Sequence, residues 1–293
     1  MSTLANRDFV KMNGLGNEIV IVDLRHAPGL IVQSPIGADE ARAAARQEPY
    51  DQLMALYPGS GDSDATIRIY NNDGSEAGAC GNGMRCVASL VSAETGRATL
   101  NFETSAGPVS CWRAGEKLFT VDMGAPRFGW DEIPLARQVP DTRAIGLTFG
   151  PPDKPILRSP SAVNMGNPHV IFWVEDPHAY DLRQIGPVLE HDPLFPERVN
   201  ITLAATPSRD RVVIRTWERG AGLTKACGSA ACAAAVAAAR LSRTGRKVTV
   251  TLPGGDLAIE WRESDGHVLM TGPVEYEHAG RFDAALLADA GAA

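Results

Sequence analysis

The sequence predicts an α+β fold of two pseudo-symmetric domains, each a mostly antiparallel β-sheet wrapped around one central buried helix. Three features carry this expectation. The chain repeats itself, each copy holds one helix-like segment that is apolar on every side, and short strand-like runs surround that segment. Residues 67–81 lie on 214–228 without a gap, so Tyr70 faces Trp217, Asn71 faces Glu218 and Cys80 faces Cys227. Thr95-Gly96-Arg97 then corresponds to Thr244-Gly245-Arg246, and a Trp follows the glycine at 16 residues in both copies (Trp112, Trp261). Upstream, Gly16-Asn17 before one apolar run matches Gly166-Asn167 before another. Asn17 precedes Cys80 by 63 residues and Asn167 precedes Cys227 by 60. One such match can arise by chance, but three in the same order mark two copies of one unit.

In chain order, strand-like runs occupy 67–70 and 118–122 in the first copy, and 170–174, 212–216, 248–252 and 257–261 in the second. Cys80-Gly-Asn-Gly opens a helical segment over 84–93 whose only charge is Arg85. Cys227-Gly-Ser opens 230–239, nearly all alanine, the best helix former. Gly96 and Gly245 stand where a left-handed C-cap would end each helix. The Pro-rich stretch 126–160 reads as the connection. The expected domains are therefore 1–128 and 129–275, with 276–293 a tail returning to the first domain.

The chain has 293 residues, 44% hydrophobic and 22% charged, which is ordinary globular composition. Its formal net charge of −7 disfavours a phosphate-tracking nucleic-acid binder. The longest apolar run, 230–239, is too short to span a bilayer, and the start lacks the apolar core of a secretory signal. A cytoplasmic protein with neither nucleic acid nor membrane as partner is expected. The five cysteines contain no Cys-x-x-Cys pair and the histidines have no ligand spacing, so neither a disulfide framework nor a metal site is expected.

A cysteine in apolar sequence is ordinarily a core residue, and Cys86, Cys111 and Cys232 are read that way. Cys80 and Cys227 differ because the repeat sets both at helix starts. There the macrodipole and unpaired N–H groups are expected to favour the thiolate, and the adjacent glycines admit a ligand to the backbone. Pseudo-symmetric domains would present these thiols to opposite sides of one molecule. A base then removes a proton from a stereocentre on one face and an acid returns one on the other, giving inversion.

The motifs Phe-Val-Lys-Met-Asn-Gly-Leu-Gly-Asn-Glu at 9–18, Asn-Asn-Asp-Gly-Ser-Glu from Asn71, Ala-Cys-Gly-Asn-Gly-Met-Arg-Cys ending at Cys86, Asn-Met-Gly-Asn-Pro-His ending at His169, Arg-Val-Asn ending at Asn200, and Glu-Arg-Gly-Ala-Gly from Glu218 followed by Ala-Cys-Gly-Ser ending at Ser229 resemble diaminopimelate epimerase. The resemblance covers essentially the whole chain. It implies two pseudo-symmetric domains, usually paired as a homodimer, and cofactor-independent interconversion of LL- and meso-2,6-diaminopimelate on the route to lysine and peptidoglycan. Residue by residue, Cys80 and Cys227 resemble the two acid/base thiols, with His169 the partner of Cys80 and Glu218 that of Cys227. Gly81 and Asn82, with Gly228 and Ser229, resemble the cradle for the α-carboxylate, and Arg219 a carboxylate clamp. Asn17, Gln52, Asn71, Asn167 and Asn200 correspond to amides that fix the substrate. The sequence departs from the family pattern at Asn13, Glu18, Leu223 and Ala230, none of them a thiol or a thiol partner.

Each alternative has its own signature. A proline-racemase-like enzyme keeps the two thiols and changes the substrate, against which the Glu-Arg-Gly-Ala-Gly and Asn-Met-Gly-Asn-Pro-His motifs argue. A thiol redox protein predicts no exchange of a substrate's α-proton with solvent. A non-catalytic amino-acid-binding protein predicts binding without the thiols. Lys225 near Cys227 raises pyridoxal phosphate, but no phosphate-cradling motif accompanies it, so no cofactor is expected.

Overall fold

A computed structural model describes residues 2–27 and 35–286. The chain forms two compact units, Met1–Val121 with Gly272–Ala293, and Asp122–Thr271. In the first, β1 (Asp8–Asn13), β2 (Glu18–Asp23), α1 (Ala38–Gln47), β3 (Gln52–Pro58), β4 (Ala65–Asn71), β5 (Glu76–Ala77), α2 (Gly81–Thr95), β6 (Thr99–Thr104), β7 (Gly107–Arg113) and β8 (Leu118–Asp122) follow one another. In the second come β9 (Thr148–Phe149), β10 (Leu157–Arg158), β11 (Ser161–Asn164), β12 (Pro168–Trp173), α3 (Leu182–Glu190), β13 (Asn200–Ser208), β14 (Arg211–Glu218), β15 (Gly222–Leu223), α4 (Gly228–Arg240), β16 (Lys247–Leu252), β17 (Gly255–Trp261) and β18 (Val268–Pro273).

The ladders repeat strand for strand. β1 and β2 pair antiparallel, β2 and β3 parallel, β3 and β4 antiparallel, β4 and β6 parallel, and β6, β7 and β8 antiparallel. β11, β12, β13, β14, β16, β17 and β18 pair in the same order with the same directions. The register places Ile19 opposite Gln52 and Gln52 opposite Asn71 in one copy, and His169 opposite Asn200 in the other. A two-residue short β-arm follows each fourth strand, β5 on β4 and β15 on β14, and turns the chain into the helix.

Each sheet wraps the helix of its own unit. α2 packs against β2, β3, β6 and β7, and α4 against β11, β12, β13, β14, β16 and β17. From Ala230 to Ala238 every residue of α4 is buried, and its small side chains let strands approach from all sides. Cys86, Cys111 and Cys232 are fully buried core residues. Gly96 caps α2 at φ +72, donating its N–H to Ser92. Gly245 does not cap α4, contrary to expectation. That helix stops at Arg240 with Leu241 at its cap, and Ser242 takes the left-handed turn at φ 55. The exit differs because Arg243 and Gly245 bond to Ala238 and Arg209 instead.

The Pro-rich stretch 126–160 is not a bare connection. Ile133, Leu135, Ile145, Leu147 and Leu157 are buried in the second unit's core beside Val170, Phe172 and Leu203. Prolines limit regular pairing there to the two-residue β9–β10 ladder, but apolar side chains two residues apart still reach inward. The second unit accordingly begins at Asp122, earlier than the expected 129. β19 (Glu275–Arg281) lies antiparallel on β1, Phe282 packs on Phe9 with ring centroids 4.8 Å apart, and Arg281 grips Asp8. Residues 287–293 of the expected tail lie outside the described residues.

One glycine in α3 has a packing reason. A Cβ on Gly186 would lie 2.3 Å from Cγ of Trp217, so α3 and β14 touch only because no side chain intervenes. Gly186→Ala is expected to destabilise the protein by about 3 kcal/mol, seen as a lower urea midpoint at unchanged slope. An unchanged midpoint would contradict this packing.

Candidate active site

In the first unit Cys80 is the N-cap of α2, and its Sγ accepts the Gly83 N–H at 3.3 Å. Two amide oxygens face the thiol, Gln52 Oε1 at 3.6 Å and Asn17 Oδ1 at 3.8 Å. Their orientation follows from Asp51. A carboxylate only accepts, so Asn17 must turn Nδ2 toward Asp51 Oδ2 (2.8 Å), which leaves Asn17 Oδ1 for the thiol and for Asn82 Nδ2 (3.3 Å). Asn17 Nδ2 also donates to Gln52 Oε1 at 3.0 Å, and Gln52 Nε2 to Asn71 Oδ1 at 3.4 Å. Asn71 Nδ2 donates to Ser75 Oγ at 3.0 Å, which donates to Asp73 Oδ1 at 2.6 Å. Two carboxylates thus fix every amide in between. A Cβ on Gly83 would come within 2.7 Å of Met54 Sδ and 3.3 Å of Cys80 Sγ, so glycine lets the first helical turn close on β3.

In the second unit Cys227 is the N-cap of α4, 5% exposed, with its Sγ 3.5 Å from Ser229 Oγ. Burial first, and then the charge of Glu218, pushes this thiol well above its usual range. The Ser229 hydroxyl and the Ala230 N–H act the other way and are outweighed. The expected thiolate at this helix start is therefore corrected: Cys227 stands protonated, because desolvation beats the macrodipole. Glu218 also accepts from the Thr224 hydroxyl. Asn200, 2% exposed, accepts the Arg219 N–H through Oδ1 at 2.9 Å and donates through Nδ2 to the Pro168 carbonyl at 2.9 Å. The Arg219 guanidinium donates to the Glu197 carbonyl at 2.9 Å, and among the described residues no carboxylate pairs with it.

His169 is fully buried, with Nε2 2.8 Å from Asn167 Oδ1. That oxygen only accepts, so Nε2 carries the hydrogen and Nδ1 keeps a bare lone pair with no hydrogen-bond partner. Burial, helped by the charge of Arg219, depresses the imidazole to about 3, so it is neutral at physiological pH. The unfolded chain therefore binds a proton that the folded chain refuses between pH 6.5 and about 3, and stability falls as pH drops through that window. Relative to His169→Gln, the wild type is expected to lose about 2 kcal/mol more between pH 7.5 and pH 5, measured by urea unfolding at both. Parallel slopes in the two proteins would rule out a buried neutral His169.

The two frames match position for position while the chemistry does not. Asn17 and Asn167, Gln52 and Asn200, Asn71 and Glu218, and Cys80 and Cys227 are equivalent by repeat and register. Where the second copy has His169 the first has Ile19, and where the second has a carboxylate the first has an amide. The first unit gathers Cys80, Asn17, Gln52, Asn71, Gly81 and Asn82. The second gathers Cys227, Asn200, Glu218, Arg219, Gly228 and Ser229, with His169 joined to them through the β12–β13 ladder and Asn167 through its bond to His169. Sequence reasoning missed Asp51, Ser75 and Thr224, and only the Asp-Gln pair at the start of β3 hinted at the first of these. Lys225 is exposed. Among the described residues no group of three or more His, Cys, Asp or Glu is placed to hold a metal ion.

The diaminopimelate epimerase family matches residues 9–129 and 161–277, which span both copies. The chain belongs to the diaminopimelate epimerase family. A member from Rhodopseudomonas palustris (strain HaA2), named diaminopimelate epimerase, is 63% identical over 292 residues, 99% of this chain and 98% of its own. Among solved structures, one titled as a predicted epimerase from Pseudomonas aeruginosa has a TM-score of 0.65 at 18% identity, covering 94% of this chain and 99% of its own. A hydroxyproline epimerase from Agrobacterium vitis with bound trans-4-hydroxy-L-proline also reaches 0.65, at 13% identity over 96% of this chain and 94% of its own. At these identities the two structures share the fold, an α+β architecture dominated by sheet.

Proposed function

We propose that this family member interconverts LL- and meso-2,6-diaminopimelate by moving the α-proton between two thiols. The observation that carries the reading is the duplicated frame, a helix-start cysteine beside polar side chains in each copy of a chain whose two copies both match this family. Inversion needs removal of the proton on one face of the α-carbon and delivery on the other, and Cys80 and Cys227 are assigned these roles, one as base in each direction. Cys227, held as S–H by burial and by Glu218, is poised as the acid when Cys80 takes the proton. From the resemblance, Glu218 resets Cys227 and His169 resets Cys80. The bare Nδ1 of His169 leaves an acceptor free for a thiol S–H. Gly81 with Asn82 and Gly228 with Ser229 supply helix-start N–H groups for the carboxylate at the reacting carbon. Arg219 clamps a carboxylate, and Asn17, Gln52, Asn71, Asn167 and Asn200 hold the two amino-acid ends.

A cytoplasmic homodimer belongs to the same reading. Five free cysteines suit a reducing compartment, and the resemblance implies the dimer, which sedimentation would test. The deciding experiment incubates reduced protein with LL-diaminopimelate in D2O and follows the α-proton by NMR, with proline and hydroxyproline in parallel. Exchange accompanied by the meso isomer supports the reading. Exchange confined to the proline-type substrates would move the protein to the other substrate class, and no exchange would end the thiol mechanism.

A further inference from the structure

The turn that joins β14 to β15 carries Glu218 and Arg219, and its backbone is held from two sides. Asn200 Oδ1 accepts the Arg219 N–H at 2.9 Å, and Glu190 Oε1 accepts the Gly220 N–H at 3.0 Å. Glu190 sits in the last turn of α3, where the macrodipole opposes a negative charge, and is only 4% exposed. A carboxylate in that place needs compensation. It finds three donors: Gly220 N, Trp217 Nε1 at 2.7 Å to Oε2, and Arg198 Nη1 at 3.4 Å to Oε1. Trp217 and Gly220 bracket Glu218 and Arg219 in sequence, so one carboxylate clips both ends of the segment that bears them. Gly220 and Gly222 take left-handed φ values of +77 and +83, so the turn has little side-chain packing of its own to fix it.

We infer that Glu190 is a positioning residue that sets the Glu218–Arg219 turn for substrate. The inference rests on the roles proposed above for those two residues. Glu190 touches neither thiol. It acts because a carboxylate accepts at both oxygens and so satisfies Trp217 Nε1 and Gly220 N at once. Glutamine has the same reach, yet it must point an NH2 at one of those donors, and aspartate keeps both acceptors yet falls a methylene short.

The test compares kcat and KM for diaminopimelate epimerisation at 25 °C in wild type, Glu190→Gln and Glu190→Asp, each shown to be folded by the fluorescence of its tryptophans and by circular dichroism. Both variants are expected to lose about 10²-fold in kcat/KM, because a misplaced clamp spoils alignment as well as grip. Glu40→Gln serves as the control for lost stability alone. Glu40 is also a buried acceptor, bonded to the Leu4 N–H at 2.6 Å, and its replacement is expected to lower the urea midpoint while leaving kcat and KM unchanged. Folded Glu190 variants with wild-type constants would overturn the inference. Should Glu190→Gln fail to fold, the aspartate variant decides on the same criterion. Arg219→Met and Glu218→Gln separate the two layers. If both behave as wild type, the underlying roles fail and the inference falls with them. If both are impaired while the Glu190 variants are normal, only the inference on Glu190 fails.

Discussion

Cys80→Ala and Cys227→Ala are each expected to lower inversion of diaminopimelate by about 10⁴-fold, the upper range for removal of a positioned acid or base. Either loss leaves the other thiol able to take the α-proton from its own face and return solvent deuterium to that face. Each single variant is therefore expected to exchange one isomer slowly with retention, where the wild type exchanges with inversion. NMR of LL- and meso-diaminopimelate in D2O separates these outcomes, since retention labels the substrate without forming the other isomer. Cys86→Ala and Cys232→Ala provide the contrast. Both side chains are fully buried, and burial pushes the Cys86 thiol up to about 12, far from any proton transfer at neutral pH. Their replacement is expected to cost about 1 kcal/mol of stability and leave turnover intact. Inversion persisting without Cys80 or without Cys227 would sink the two-thiol mechanism.

The repeat was readable because equivalent positions keep equivalent side chains, and the ladders then follow, since a strand register is set by which residues face inward. Cys80 and Cys227 stood out for the same reason, two cysteines at matched helix starts. The rest depends on quantities that no short pattern encodes. Whether Cys227 is thiol or thiolate is a contest between desolvation and the helix dipole. Burial decides it, and burial is a property of the assembled core. The orientation of Asn17 is set by Asp51, which the chain brings up only when β2 and β3 pair in parallel. Glu190 lies 28 residues before Glu218 in α3, which occupies the place of α1 between the second and third strands of its copy, but none of the three sequence matches that reveal the repeat reaches either helix. The stretch 126–160 misled because proline density signals irregular backbone, and irregular backbone can still bury Ile145 and Leu147.

Glu218→Gln makes a sharper demand, because it moves two observables in opposite directions. In the proposed mechanism Glu218 exchanges protons with Cys227, and its charge raises that thiol's pKa, second only to burial. Glutamine preserves the shape and can still bond the Thr224 hydroxyl, but it has neither the charge nor a useful basicity. Turnover is expected to fall by about 10³-fold, since Cys227 can no longer be returned to its working protonation state. The same change removes a repelling charge from beside the nascent thiolate, so the Cys227 pKa moves down and a larger fraction ionises at any given pH. Alkylation of Cys227 by iodoacetamide, followed by mass spectrometry across pH 7 to 10, is therefore expected to begin at lower pH in Glu218→Gln than in the wild type. Alkylation of Cys86 stays negligible in both and reports that the core has not opened. A protein that merely lost structure would expose Cys86 and Cys227 together. A variant with an intact core, low turnover and an unshifted Cys227 profile would show that Glu218 does not set the ionisation of that thiol. A variant with full turnover would remove Glu218 from the proton path altogether.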